Sequence, residues 1–203
     1  MMYMNQRLWP YRTPGIPDDL FLRDESIPIT KEEVRVIALS KARLKEGYRV
    51  IDVGSGTGSI SIEAAIQVGG TGRVYAIDRD ANAIALLREN ARRFSITTIE
   101  MVQGDAMDVL PSMPEVDAVF VGGTGGKMYD IVRLACTRLR SKGRIVVDTI
   151  MVESMSSALS AMYDLGLEDV DVTQVIVAKG RRISIGTMLI ARNPVLIISA
   201  EKP

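Results

Sequence analysis

Histidine is absent from the chain, and with it goes the side chain that most often serves as a general base near neutral pH or as an imidazole ligand to a metal. Histidine-based catalytic triads and zincin-type metal chemistry are therefore excluded, and no metal site is expected. One cysteine allows no disulfide framework within the chain, and its setting, Ile131-Val132-Arg133-Leu134-Ala135-Cys136, suits a buried, reduced thiol. Neither sign of charge predominates: 25 Lys and Arg stand against 25 Asp and Glu, so no net positive charge draws the chain onto a phosphate backbone, and a nucleic-acid substrate is disfavoured. Apolar residues make up 47% of the sequence, but they fall in runs far shorter than the ~18 residues a membrane span requires. The opening Met1-Met2-Tyr3-Met4-Asn5-Gln6-Arg7 has neither the apolar core nor the cleavage site of an export signal. A cytoplasmic protein with no membrane partner is expected.

The 203 residues suffice for one domain with a buried core. Residues 1–29 carry Pro10, Pro14, Pro17 and Pro28 and read as an arm packed on a domain of residues 30–203, since Leu8, Trp9, Tyr11, Phe21 and Leu22 call for burial. Thr30-Lys31-Glu32-Glu33 matches a capping box and predicts a helix with Thr30 as its cap, running to about Leu44. Short β-branched runs then alternate with amphipathic segments. Strands are predicted at 49–53, 73–77, 99–103, 116–121 and 144–148, and helices near 59–68, 80–94, 127–139 and 153–165. Such alternation predicts an α/β fold, with a mostly parallel sheet of seven or eight strands and helices on both faces. In the tail, 170–178 and 186–192 read as a hairpin closing the sheet with an antiparallel edge strand, followed by a last apolar segment at 195–199.

The first predicted strand runs into a glycine loop, Val50-Ile51-Asp52-Val53-Gly54-Ser55-Gly56-Thr57-Gly58-Ser59, and then a helix. Open α/β sheets place ligands at this carboxyl end, and glycines let a ligand approach the backbone closely. The dinucleotide fingerprint needs glycine where Ser59 stands, and a P-loop needs a lysine that is missing. Gly-x-Gly-x-Gly after Asp52, with Asp78 ending the second strand, instead resembles the cofactor motif and ribose-binding acid of Rossmann-like class I methyltransferases. The resemblance implies S-adenosyl-L-methionine as cofactor, with Asp78 accepting from both ribose hydroxyls; the bland alternative is a tight turn and a solvated aspartate. Gly104-Asp105-Ala106 follows the third strand, where that fold meets adenine. There Ala106 permits close approach, and Asp105 either faces the exocyclic amine or caps the next turn.

Gly122-Gly123-Thr124-Gly125-Gly126-Lys127 follows the fourth strand. No aromatic platform for a flipped base is present, whereas free backbone N–H groups at a helix start suit a carboxylate. A flexible turn is the competing reading. Together with Gly15-Ile16-Pro17-Asp18-Asp19-Leu20-Phe21, Asp24-Glu25-Ser26-Ile27-Pro28-Ile29-Thr30, Ala178-Lys179-Gly180-Arg181, Gly186-Thr187-Met188 and Arg192-Asn193-Pro194-Val195, these segments resemble the decarboxylating C15-methyltransferases of the anaerobic cobalamin pathway.

That resemblance covers nearly all of the chain after residue 14. It implies methylation of cobalt-precorrin-6B at C15 with loss of carbon dioxide from the ring C acetate, a tetrapyrrole partner and a homotetramer. It implies cofactor contacts from Thr30, Gly54, Ser55, Gly56, Thr57, Gly58, Asp78, Asp105 and Ala106. Substrate carboxylates would fall to Gly122, Gly123, Thr124, Gly125, Gly126, Lys127 and Arg181, although Lys127, Lys179, Arg181 and Arg182 also read as ordinary surface cations. No catalytic acid or base stands out. The apolar 195–199 tail and the proline-rich arm are the candidate subunit contacts. Competing functions are a methyltransferase for RNA, protein isoaspartate or another small molecule, and a cofactor-binding subunit without activity.

Overall fold

The computed structural model describes residues 8–203; Met1–Arg7, on which the reading of the export signal rests, lie outside the described residues. Alternation of β-branched strands with helices builds one seven-stranded sheet. Its strands are β1 (Arg49–Val53), β2 (Arg73–Asp78), β3 (Ile99–Gln103), β4 (Val116–Val121), β5 (Leu139–Thr149), β6 (Glu168–Val175) and β9 (Val195–Glu201), in spatial order β3-β2-β1-β4-β5-β9-β6. β1 through β5 pair in parallel. β9 runs antiparallel to both neighbours and lies one place in from the edge.

The helices divide between the two faces. Helices α1 (Glu32–Ala42), α2 (Ser59–Val68) and α3 (Ala81–Arg93) cover one face, meeting side chains such as Val50, Ala76, Phe120, Val146 and Ile197. Helices α5 (Met128–Arg138) and α6 (Val152–Asp164) cover the other, meeting Ile51, Val53, Val119, Val121, Ile145 and Val147; α4 (Ala106–Val109) is a single turn after β3. Period-2 alternation along each strand thus sends successive residues to opposite helical layers. Among the described residues no helix is long and apolar enough to cross a membrane. Cys136 is buried, and its burial pushes the thiol up to about 11, so it is inert as a nucleophile.

Several boundaries and pairings differ from expectation. Helix α1 is not capped by Thr30. Its cap residue is Lys31, which makes no side-chain cap, and the Glu32 N–H donates to Asp18 Oδ1 of the arm at 2.9 Å. Glu33 pairs with Lys179 and Arg192 rather than closing a capping box, because cations arriving from distant sequence compete for it. The helix ends two residues before Leu44, where Arg43 adopts a left-handed conformation. The expected hairpin between 170–178 and 186–192 does not form. β6 pairs instead with β9, and a separate two-stranded hairpin of β7 (Ala178–Ile183) and β8 (Gly186–Ala191) stands apart from the main sheet. The 195–199 segment is no exposed tail: as β9 it is flanked by strands on both sides, with Ile197, Ile198 and Ser199 fully buried. Of the arm residues expected to be buried, Phe21 is buried, Leu8 and Trp9 are half-buried, and Tyr11 and Leu22 are exposed; Ile16 is buried as well.

The arm is held by charge. Arg35 of α1 is fully buried; its Nε donates to Glu63 Oε1 of α2 at 2.5 Å, its Nη1 to Asp18 and to the Thr30 carbonyl, and its Nη2 to the Ile16 carbonyl. The guanidinium also stacks 4.9 Å from the Phe21 ring centroid. Glu63 accepts from the Gly15 and Ile16 amides at 2.7 and 3.0 Å. Asn90 of α3 adds a second fastening, accepting from the Leu22 N–H and donating to the carbonyls of Leu22 and Thr57.

Removing one partner of such a pair strands the other in low dielectric, at a cost of about 3–5 kcal/mol. Arg35→Met should therefore lower the thermal midpoint by about 10 °C. Arg35→Met with Glu63→Leu should recover only part of that loss, since the Gly15 and Ile16 amides lose their acceptor. A single variant melting with the wild type would show that the clamp contributes little.

Candidate functional site

A cleft of about 320 Å³ opens at the carboxyl ends of the parallel strands, where the sheet order reverses between β1 and β4 and open α/β folds place their ligands. Gly54 and Gly56 after β1, Asp78, Arg79 and Asp80 after β2, Gly104, Asp105 and Ala106 after β3, and Gly123, Thr124 and Gly125 after β4 line it. Ile27 and Pro28 of the arm form a further wall, and Val53, Ile77, Ala83 and Ile131 supply apolar surface.

The structure thus brings Gly54, Gly56, Asp78, Asp105, Ala106, Gly123, Thr124 and Gly125 to one cleft. Thr30, Ser55, Thr57, Gly58, Gly122, Gly126, Lys127 and Arg181 do not line it. Ser55, Thr57 and Gly58 are buried beneath the loop, and Arg181 is exposed on the β7–β8 hairpin. Thr30 and Gly122 are half-buried beside the cleft, the Gly122 N–H donating to the Val53 carbonyl at 2.9 Å. The two glycine loops, read separately in the sequence, face each other across one space.

Most glycines of the first loop serve the protein's own packing. A Cβ on Gly56, at φ +52°, would lie 2.6 Å from the Pro28 carbonyl, and one on Gly58, at φ +80°, would lie 1.9 Å from Leu87 Cδ1. The loop is a joint between arm, strand and α3. The glycine open to a ligand is Gly123, which lines the cleft and whose Cβ would meet no atom within 4 Å among the described residues.

The electrostatics of the cleft are set by carboxylates on successive strand ends. Asp78 accepts from the Gly56 N–H at 2.9 Å and from the Asp80 N–H at 3.0 Å, which fixes its carboxylate while leaving lone pairs for further donors. Asp105 caps α4 through the Met107 N–H at 2.9 Å and pairs with Lys127 Nζ at 3.2 Å; these bonds hold its carboxyl below the usual range. The capping reading of Asp105 is therefore the one realised, and Lys127 ties the loop after β4 to the loop after β3. Three carboxylates, Asp78, Asp80 and Asp105, border the cleft with the cation Arg79, a balance that favours a cationic ligand.

Below the loop lies a polar layer that the sequence reading left unassigned. Asp52 and Asp148, at the ends of β1 and β5, point to the α1–α2 face by strand alternation. Asp52 is buried and accepts from Ser61 Oγ at 2.5 Å. Burial pushes its carboxyl up to about 7 despite the Ser61 bond, and Asp148 and Asp78 add to the rise. Burial raises Asp148 to about 6, opposed in part by the Thr30 hydroxyl. The available signal was charge in the wrong place: Glu63 alone among apolar neighbours in α2, Arg35 within Val34-Arg35-Val36-Ile37, and Asp148 ending an apolar strand.

Comparison with known proteins bears on what this cleft does. Residues 19–202 match the precorrin methyltransferase domain family. A Saccharolobus solfataricus protein named as a probable cobalt-precorrin-6B C(15)-methyltransferase (decarboxylating) is 47% identical over 197 residues, spanning 96% of this chain and 99% of that protein. Two crystal structures are similar in fold. Precorrin-8W decarboxylase from Methanobacterium thermoautotrophicum has a TM-score of 0.85 at 37% identity, covering 91% of this chain and 98% of that one. Precorrin-6Y C5,15-methyltransferase from Geobacter metallireducens has a TM-score of 0.87 at 35% identity, covering 95% of this chain and 100% of that one.

The raised Asp52 carboxyl has a consequence for stability. Its folded value lies above the ordinary 3.8, so its contribution is complete below about 3.8 and is lost as pH rises through about 7. Asp52→Asn should therefore melt above the wild type at about pH 8, by an amount on the order of 2–4 kcal/mol, with the gap closing toward pH ~4. Equal melting differences at both pH values would show that Asp52 does not titrate in this range.

Proposed function

The chain belongs to the precorrin methyltransferase family, and we propose that it methylates cobalt-precorrin-6B at C15 with S-adenosylmethionine and releases the ring C acetate carboxyl as carbon dioxide, giving cobalt-precorrin-7. The observation that carries this reading is the 47% identity, over nearly the whole of both chains, to a relative bearing that activity's name.

The cleft chemistry supports the cofactor. S-adenosylmethionine supplies an electrophilic methyl group on a sulfonium cation. Asp78 is the residue for the ribose hydroxyls, because its carboxylate is fixed by two backbone amides and still has acceptor capacity. Ala106 and the apolar walls Val53, Ile77, Ala83 and Ile131 suit a flat heterocycle and exclude water, and the surrounding carboxylates favour the positive charge. Gly123 permits close approach from the β4 side. Gly54 and Gly56 reach the same cleft, while Ser55, Thr57 and Gly58 shape the loop from beneath, and Thr30 acts through its neighbours Asp148 and Arg35.

For the substrate, the amides of Gly122–Gly126 before α5 suit carboxylates of the macrocycle. Lys127 would have to share its charge with Asp105 to join them. Exposed Ile150, Met151 and Val152, directly after β5, offer apolar surface to the ring itself. Methyl transfer from a sulfonium is an in-line displacement, so what the protein contributes is orientation and exclusion of water.

The proposal extends to a homotetramer. With β9 buried, the β7–β8 hairpin takes its place as the apolar surface for subunit contact, with Ile185 91% and Leu189 71% exposed. A lone two-stranded hairpin is marginal in water, and this one is tied to α1 by Lys179 and Arg192.

Anaerobic incubation with labelled S-adenosylmethionine and cobalt-precorrin-6B should give a product that has gained one methyl and lost carbon dioxide by mass spectrometry; cofactor binding with an unchanged macrocycle would sink the substrate assignment. Asp78→Ala should weaken cofactor binding by about a hundredfold in calorimetry, the loss of two charge-assisted hydrogen bonds. Ile185→Glu with Leu189→Glu should yield a smaller species by light scattering, and an unchanged mass would remove the hairpin from the interface.

A further inference from the structure

Decarboxylation leaves a proton to be accounted for. When an acetate side chain breaks its C–CO2 bond, the electron pair stays with the macrocycle, and the methylene carbon becomes a methyl group only by gaining a proton. Over the whole reaction a carboxylate and a sulfonium enter, and a thioether, carbon dioxide and the methylated ring leave, so protons are neither consumed nor released. The proton given to the methylene carbon must therefore be recovered from the methylated ring. One group that gives and takes a proton near neutral pH would serve both steps, and histidine, the usual choice, is absent.

Resting on the function proposed above, we infer that Asp148 is this group: it protonates the methylene carbon as carbon dioxide departs and takes a proton back from the ring carbon system once the methyl group is in place. Its position fits. Val121 and Val147 are register partners in β4 and β5, so Asp148 stands level with Gly122, at the start of the loop proposed for the substrate. On its other side the chain runs through Thr149 into exposed Ile150, Met151 and Val152. Asp148 is half-buried as a residue, but its Oδ1 is buried and has no hydrogen-bond partner among the described residues. An oxygen left in that state resists ionisation and is free to bond a substrate group.

The surroundings hold a proton in place. The groups acting on Asp148 are the Thr30 hydroxyl, at the approach to α1, and its own backbone amide; across the layer, Asp52 of β1 acts together with Asp148, Asp78 and Ser61 of α2. The buried cations on this face are taken up elsewhere, Arg35 by Glu63, Asp18 and two carbonyls, and Arg144 by Asp169, Ser199 and the Lys41 carbonyl. Burial without a paired cation favours the protonated form of both carboxyls, raising Asp148 to about 6 and Asp52 to about 7, and this keeps Asp148 poised between acid and base near neutrality.

The test is Asp148→Asn, an isosteric change. Turnover of cobalt-precorrin-6B should fall about a hundredfold or more, with folding and S-adenosylmethionine affinity retained and the neutral-pH limb of the rate profile lost. Without substrate, infrared difference spectra of the wild type between mildly acidic and mildly alkaline pH should show a protonated-carboxyl band titrating near neutrality, diminished in the variant. A variant that turns over within about threefold of the wild type with the same pH profile overturns the inference, as does a wild-type spectrum with no such band. A wild type that binds cofactor, shows the band and leaves the macrocycle unchanged instead overturns the substrate assignment on which the inference rests.

Discussion

The buried pairing of Arg35 with Glu63 is the interaction on which the site depends. Two oppositely charged side chains from successive helices meet in the interior, and each spends its remaining bonding capacity on the arm: Arg35 on Asp18 and the carbonyls of Ile16 and Thr30, Glu63 on the amides of Gly15 and Ile16. Such a pair contributes little net stability compared with apolar residues of equal volume, because desolvation offsets the attraction. What it supplies here is position. The arm must pass over α1 and α2 along one path, and that path carries Ile27 and Pro28 to the cleft, where they form a wall.

From that wall the geometry propagates into the glycine loop. The Thr57 N–H donates to the Pro28 carbonyl, and Gly56 lies so close beneath the same carbonyl that no side chain fits between them. Asn90 joins α3, the arm and the loop through the carbonyls of Leu22 and Thr57. The Gly56 N–H in turn fixes Asp78. A loop read in isolation as a surface for a ligand is thus first a joint between the arm, α3 and the ends of β1 and β2, and the carboxylate at the cleft is oriented as a result of that joint. Preorganisation of this kind places the cost of ordering the site in folding rather than in binding.

Beside this cation-paired network, which itself leaves Asp18 Oδ2 without a hydrogen-bond partner among the described residues, stands a layer whose acids have no paired cation there. Asp52 is buried and Asp148 half-buried, neither in an ion pair among the described residues, and oxygens of Ser55, Thr57 and Asp148 have no hydrogen-bond partners there. Folded proteins keep such costs where function needs them. The contrast is between a neutralised pair that holds the arm and an acid pair without cations beneath the glycine loop.

By itself the sequence determined the α/β architecture, nearly every strand and helix of the first five units, and the two glycine loops at strand ends. Those features are written in periodicities of two and 3.6 and in spacings of a few residues, which act locally whatever the rest of the chain does. Only the tertiary structure decided the rest. It inserted β9 between β5 and β6, freed the β7–β8 hairpin, passed the capping of α1 from Thr30 to Asp18, and put Asp148 on the same face of the sheet as Asp52. Each of these depends on a partner many residues away. A lone charge in an apolar segment announces that such a partner must exist, but which one answers is settled by the packing of the whole chain.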